Sequence, residues 1–417
     1  MPSPTRASEL ESPYAWLRLA ASVLLMGIGS GGMYAVMVVL PTLQTEFHIA
    51  RAGASFPFTA TMLGFAAGGL MMGRLVDRWG VFPTLLGGAL AQFLGFFLAA
   101  HAQTAGQFAL CQAVFIGFLG CSTTFSPLLS DISHWFAPRR GIAVAICASG
   151  NYLGGAVWPP LTQHLVAAHG WRTTYEFIGL ACVASMVPIA FLLRRPSPID
   201  HLPPARRAGP ASAASPDLAA GLSPRVLQAL LCVAGVACCV AMSMPQVHLV
   251  ALCGDLGFGP ARGAEMLSLM LGCGIISRLA SGFVADRIGG LRTLIVGSTL
   301  QGVALLLFLP ANGLVSLYVV SALFGLFQGG IVPSYAIVIR EYFPAAQAGT
   351  RVAMVVTATL LGMALGGWMS GVIYDYSGNY TGAFLNGVGW NLLNVTIATF
   401  LLLRLPARGS RAVLAPI

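Results

Sequence analysis

Lysine is absent from the 417-residue chain: all 22 basic residues are Arg, against 13 acidic ones. A Walker A loop needs a Lys on the nucleotide phosphates, and Schiff-base chemistry with retinal or pyridoxal phosphate needs a Lys amine, so all three are excluded. Charge of either sign is scarce. Only 8% of residues are charged, against about 25% in a soluble globular domain, which excludes an ordinary cytosolic enzyme. Metal-ligand spacing is missing too. The nine Cys (111, 121, 147, 182, 232, 238, 239, 253 and 273) lie inside or at the ends of apolar runs, without CxxC pairs or a suitably spaced His. They read as small buried side chains, so no metal and no cofactor is expected. The net charge of +9 could point to nucleic acid, but basic cytoplasmic loops account for it, and no nucleic-acid partner is expected.

What the chain has is apolar length. Hydrophobic residues make up 57% of it, in about a dozen stretches that each suffice for a helix across a ~30 Å hydrocarbon core. The expected fold class is an all-α polytopic membrane protein with twelve transmembrane helices. The spans fall at about 16–40, 54–73, 82–101, 106–133, 141–167, 173–193, 226–254, 263–285, 292–310, 313–339, 350–375 and 380–403. Glu9 and Glu11, and the length of the run Ala15 to Leu40, make the N-terminal segment a first span rather than a cleavable signal. Residues 196–224, rich in Pro, Ala and Ser, mark a cytoplasmic linker between a bundle at 1–195 and one at 225–417. With both termini cytoplasmic, 18 of the 22 Arg, Arg18 among them, are on the cytoplasmic side, and Arg51, Arg172 and Arg262 fall outside. That bias supports a plasma (inner) membrane protein with an even number of spans. Arg278 belongs to neither side.

The halves repeat. Gly73-Arg-Leu-Val-Asp77-Arg78-Trp-Gly80 follows the second span and Gly282-Phe-Val-Ala-Asp286-Arg287-Ile-Gly289 follows the eighth, at an offset of 209 from 77 to 286. Arg140 with Trp158 and Arg351 with Trp368 form a second echo. Both Asp-Arg motifs face the same side, so the repeats are parallel, six spans each, around a central cavity. This GxxxDRxG signature, duplicated in a twelve-span chain, resembles that of the major facilitator superfamily. The resemblance implies a secondary transporter working by alternating access. It also implies a conformational latch built from Asp77, Arg78, Arg140, Asp286, Arg287 and Arg351, with Asp77 facing the start of span eleven near Arg351 and Asp286 facing the start of span five near Arg140. A carboxylate at a helix N-terminus is favoured by the dipole and free N–H groups.

Arg278 is the most informative residue. Eight residues before Asp286, it lies roughly 12 Å inside the membrane, where an unpaired cation costs about 2.5–3.5 kcal/mol on insertion scales. Asp131, Glu176, Asp255, Glu265 and Asp375 lie near helix ends, so the missing counter-charge is expected to be a transported anion, held as a bidentate Arg–carboxylate pair. Structural bonding of Arg278 to backbone carbonyls is the alternative.

A narrower resemblance follows. Phe136-Ala-Pro-Arg139-Arg140-Gly-Ile-Ala143, Ala148-Ser-Gly150-Asn151-Tyr-Leu-Gly154, Pro245-Gln-Val-His248-Leu-Val and Ser277-Arg278-Leu-Ala-Ser-Gly282 resemble the monocarboxylate transporter family and its bacterial relatives, in which the span-eight Arg binds the substrate carboxylate. The chain departs from that pattern: the first span lacks the Lys of animal members, with Val38 after Tyr34, and Gly274 stands where they carry an Asp. It also lacks the second buried cation of oxalate/formate exchangers in span eleven, which favours a monocarboxylate over a dicarboxylate.

Further candidates for the substrate site are Asn151, about 15 Å into span five, with Tyr34, Gln246, His248 and Tyr335. Interhelical bonding is the competing role for each, and favoured for Gln246 and Tyr335; His248 could carry a proton or simply pack. Gly27-Ile-Gly29-Ser-Gly-Gly32 matches GxGxxG but lies within a span and reads as helix packing. Gly150-xxx-Gly154, Gly362-xxx-Gly366 and Gly367-xxx-Gly371 permit close helix approach within a monomer or weak dimer. The expected function is transport of a small monocarboxylate across the lipid bilayer with proton symport. A drug or metabolite exporter of the same fold and a non-transporting carboxylate sensor stay open. An enzyme is not expected, for want of a buried carboxylate pair, HExxH or GxSxG.

Overall fold

The computed structural model describes residues 10–136, 139–195 and 222–405. Most of the expected linker lies outside these described residues, as do Ala137, Pro138, Arg6, Arg206, Arg207, Arg408 and Arg411. Twelve helices are long and apolar enough to cross a membrane: Pro13–Glu46, Arg51–Trp79, Val81–Ala100, Ala105–Trp135, Arg140–His169, Trp171–Phe191, Pro224–Asp255, Pro260–Ile288, Gly290–Phe308, Leu314–Tyr342, Gln347–Ser377 and Thr381–Arg404. They are called spans one to twelve below. Among the described residues there is no β-strand.

The helices outrun the apolar stretches that announce them, because backbone hydrogen bonding continues past the first polar side chain. Asp77 and Arg78 consequently occupy the last turn of span two rather than a loop, and Asp286 and Arg287 the last turn of span eight. The turns that follow are single glycines, Gly80 at φ 83° and Gly289 at φ 85°. Only glycine adopts this backbone without strain, so the repeated signature preserves a joint as well as a charge pair. Arg18 lies in the second turn of the first helix, which begins at Pro13. There its guanidinium meets Asp131 through two bonds of 2.7 and 2.8 Å and lies over the Trp135 ring. The two side chains are only 2% and 3% exposed.

Span one breaks at Ser30, between Gly29 and Gly31, at the run that mimics a dinucleotide motif. Backbone that leaves the helix within a bilayer must find partners inside the protein. Here the Gly27 carbonyl accepts from Trp158 Nε1 at 2.9 Å and Ser30 Oγ at 2.8 Å, and the Gly29 carbonyl from Gln92 Nε2 at 2.6 Å. Span four loosens opposite this break, passing through a π-helical segment, Gln112–Gly120, and a 3-10 turn, Cys121–Thr124. Gly150 and Gly154 let span five pack against the Val23 and Gly27 carbonyls of span one.

Spans two and eleven join the halves at the face opposite the Asp-Arg motifs, here called the Arg51 face. Gly367 and Gly371 admit Phe58 and Ala52, and Thr59 Oγ1 donates to the Ala364 carbonyl at 2.8 Å. Asp375, at the end of span eleven, accepts from the first two amides of span two, Arg51 N at 2.8 Å and Ala52 N at 2.9 Å. The Arg51 guanidinium bonds both Asp255 oxygens, at 2.9 and 3.1 Å, and lies over the Tyr374 ring. These bonds close that face. At the Asp-Arg face, Arg140 and Arg351 bond only within their own halves, and Asp77, Arg78, Asp286 and Arg287 are exposed.

Two outcomes follow. Asp131→Asn strands the buried Arg18 charge and should cost about 3–5 kcal/mol. It should lower the thermal midpoint of the detergent-solubilised protein, with Arg18→Met/Asp131→Leu recovering much of the loss; an unchanged midpoint in Asp131→Asn would contradict the pair's structural role. Asp375→Ala removes a helix cap worth about 1 kcal/mol, so the population open at the Arg51 face should rise about fivefold. Spin-label distances between spans two and eleven would register this, and an unaltered distribution would show that Asp375 does not hold the face closed.

Candidate functional site

Arg278 lies within span eight, about two turns before Asp286. Of the hydrogen bonds that cross between the halves among the described residues, that from Arg278 Nη1 to the Ala148 carbonyl of span five, at 2.9 Å, lies nearest the Asp-Arg face. Ser268 Oγ to the Ala156 carbonyl comes next, and the span two–span eleven bonds lie beyond. Arg278 is half-buried. Its Nε approaches the Gly329 carbonyl of span ten at 3.4 Å, and its guanidinium carbon sits 4.3 Å from the centre of the Tyr152 ring. Nη2 has no protein partner among the described residues.

No carboxylate compensates this cation. Among the described residues, Asp131 is committed to Arg18, Asp255 and Asp375 to the Arg51 face, Glu46 to Arg172 and Trp171, and Glu265 to Arg262 and Tyr318. Asp77 and Asp286 are exposed in the last turns of spans two and eight. The arrangement supplies a positive, partly hydrogen-bonded group whose remaining donor faces no protein acceptor, which suits it to bind an anion.

The expected site residues separate into two groups. Tyr34 and Asn151 stay together, the Tyr34 hydroxyl donating to Asn151 Oδ1 at 3.1 Å, and Asn151 lines a pocket with Ser30, Phe65, Thr124 and Phe125. Asn151 adjoins Tyr152 in the chain, so this pair and Arg278 share one stretch of span five. Gln246 is buried and donates to Gln328 Oε1 at 3.0 Å, next to the Gly329 that meets Arg278. His248 and Tyr335 turn elsewhere. The Gly367 carbonyl can only accept, so His248 Nε2 donates to it at 2.8 Å and Nδ1 accepts from the Tyr380 hydroxyl at 3.0 Å. Both ring nitrogens are thus engaged near the Arg51 face. Tyr335 donates to Asn394 Oδ1 at 2.8 Å, and Asn394 donates on to Ser298, an interhelical chain toward spans nine and twelve.

Of the latch candidates, Asp77, Arg78, Asp286, Arg287 and Arg140 are exposed. Arg140 bonds the Phe136 carbonyl, and Arg351 bonds Gln347 and Gln228, each within its own half. Among the described residues, none of these side chains bonds the other half. Sequence reasoning missed Tyr152, Ala148 and the Arg51–Asp255–Asp375 cluster. A signal existed for the first two: they stand four apart on span five, one helical face, beside the singled-out Asn151.

Comparison with known proteins agrees with this architecture. The Major Facilitator Superfamily profile matches residues 21–290 and 229–415. Monocarboxylate transporter 13 of Rattus norvegicus is 28% identical over 334 residues, covering 80% of this chain and 75% of the relative. Monocarboxylate transporter 11 of Mus musculus is 25% identical over 396 residues, covering 92% and 86%. The MFS-type transporter opdF of Penicillium oxalicum is 25% identical over 392 residues, covering 89% and 88%. Twelve helices long and apolar enough to cross a membrane among the described residues, a duplicated Asp-Arg joint and a profile that spans nearly all the described chain lead to one assignment: the chain belongs to the Major Facilitator Superfamily of transporters.

Proposed function

We propose that this transporter carries small monocarboxylates of the lactate or pyruvate type, with proton symport, by alternating access. The observation that carries the reading is Arg278: a half-buried cation within span eight, without a carboxylate partner among the described residues and with Nη2 free of protein acceptors. A substrate carboxylate would complete it through charge-assisted bonds, with Asn151 and Tyr34 beside it. The names of two relatives, monocarboxylate transporters 13 and 11, support the same substrate class.

The Arg bias supports an orientation with the Asp-Arg face in the cytoplasm and the chain in the plasma membrane. On that orientation the conformation is open inward. The Asp77 and Asp286 latch then belongs to the opposite state, in which each carboxylate would cap a helix start across the cleft near Arg351 and Arg140. The proton travels most simply on the substrate, since both His248 nitrogens are already bonded and Glu265 is held by Arg262 and Tyr318. Substrate and Arg278 together are close to neutral, whereas the empty carrier must return an uncompensated cation through a low-dielectric path.

In proteoliposomes, Arg278→Ala and Arg278→Lys should each lower lactate or pyruvate uptake at least about a hundredfold, Lys because it keeps the charge but loses the planar fork. Substrate exchange should outrun net uptake, and an inward pH gradient should stimulate net uptake. Near-normal uptake by Arg278→Ala removes the carboxylate-binding role, and indifference to pH in the wild type removes symport. Binding without flux would instead identify a sensor, and flux of drugs alone an exporter. Asp77→Asn should shift spin-label distances further toward the conformer open at the Asp-Arg face and reduce flux more than binding; unaltered distances would rule out the latch.

A further inference from the structure

The Tyr152 ring lies between two features of span eight that stand one turn apart. On one side is the Arg278 guanidinium, 4.3 Å from the ring centre. On the other is Gly274, so close that a Cβ there would collide with the Cε1 and Cδ1 atoms of the ring. The ring is 6% exposed, and the chain that carries it also supplies the Ala148 carbonyl to Arg278 Nη1. Glycine likewise brings span ten in: a side chain at Gly329 would strike the Gly274 carbonyl, and the Gly329 carbonyl reaches Arg278 Nε.

We infer that Tyr152 is a positioning residue for substrate binding, holding the plane of the Arg278 guanidinium so that its free in-plane nitrogen meets the substrate carboxylate edge-on, and that Gly274 is the gap that admits the ring. Five N–H donors of a guanidinium lie in one plane, and its faces carry none. A ring over one face leaves the polar edge available and attracts the cation through its quadrupole. Ala148 and Gly329 hold Nη1 and Nε from two different spans, so the rotation that would swing Nη2 away is opposed by the ring and two carbonyls together. A long, flexible Arg side chain would otherwise lose rotamer entropy on binding each substrate molecule. The alignment also selects for a planar, bidentate-capable carboxylate over a compact anion approaching from the face. No other aromatic ring lies over Arg278 among the described residues.

This inference rests on the monocarboxylate reading, and its test separates the two. Binding of L-lactate and of pyruvate to the purified full-length protein would be measured by titration calorimetry for the wild type, Tyr152→Phe, Tyr152→Leu, Gly274→Ala and Tyr152→Leu/Gly274→Ala. Tyr152→Phe keeps the ring face and should bind within about twofold of the wild type. Tyr152→Leu should weaken Kd about tenfold. Gly274→Ala, by displacing the ring, should weaken it to a similar extent, yet add little once Tyr152 is already Leu. A mere packing defect at Gly274 would not be relieved in that way. Wild-type affinity in Tyr152→Leu, an equal loss in Tyr152→Phe and Tyr152→Leu, or additive losses in the double variant would overturn the positioning role while leaving the substrate class standing. Absence of lactate and pyruvate binding in the wild type would overturn both.

Discussion

A guanidinium at mid-membrane depth must have its donors met by protein, water or ligand, because the surrounding hydrocarbon offers nothing. Arg278 meets part of that demand with two carbonyls and an aromatic face, drawn from span five in one half and span ten in the other. Glycines make this geometry possible. Gly274 admits the ring and Gly329 admits the backbone, and neither contact survives a Cβ at those positions. One charge therefore ties together the packing of spans five, eight and ten.

The same economy appears at the ends of the helices. Asp375 caps span two at the Arg51 face, while Asp77, at the other end of span two, has no protein partner among the described residues. Spans two and eleven run antiparallel, and each carries an acidic residue in its final turns. Glycines 367 and 371 permit their close contact at the Arg51 face. Within the first half, the break at Ser30 costs little because Trp158 and Gln92 take up the carbonyls it frees, and the buried Arg18–Asp131 pair ties span one to span four.

The spans, their number and the duplication at an offset of 209 residues were legible because they depend on composition and spacing alone: about twenty apolar residues cross a bilayer whatever surrounds them. Arg278 was legible for a related reason, since a cation inside an apolar run stands out without knowledge of its neighbours. Asn151 and Tyr34 emerged as polar residues at similar depth, and the structure joins them. Arg18 was legible as a basic residue near one end of the first span, but not its buried pairing with Asp131, which lies 113 positions away.

What the tertiary structure alone decided is where each side chain points and what it meets. His248 and Tyr335 are polar residues inside spans, indistinguishable by sequence from cavity residues, yet the rotation of spans seven and ten gives one to Tyr380 and Gly367 and the other to Asn394. Tyr152 reads as one more apolar aromatic until Gly274 and Arg278 are brought to its two sides. The Arg51–Asp255–Asp375 cluster joins residues more than 200 positions apart. The sequence by itself determined a membrane protein of twelve helices in two parallel repeats with one exceptional cation, since hydrophobicity and periodicity are local quantities. Which residues surround that cation, and where the two halves are tied together, depend on helix rotation and packing, and these are set by contacts between segments distant in the chain.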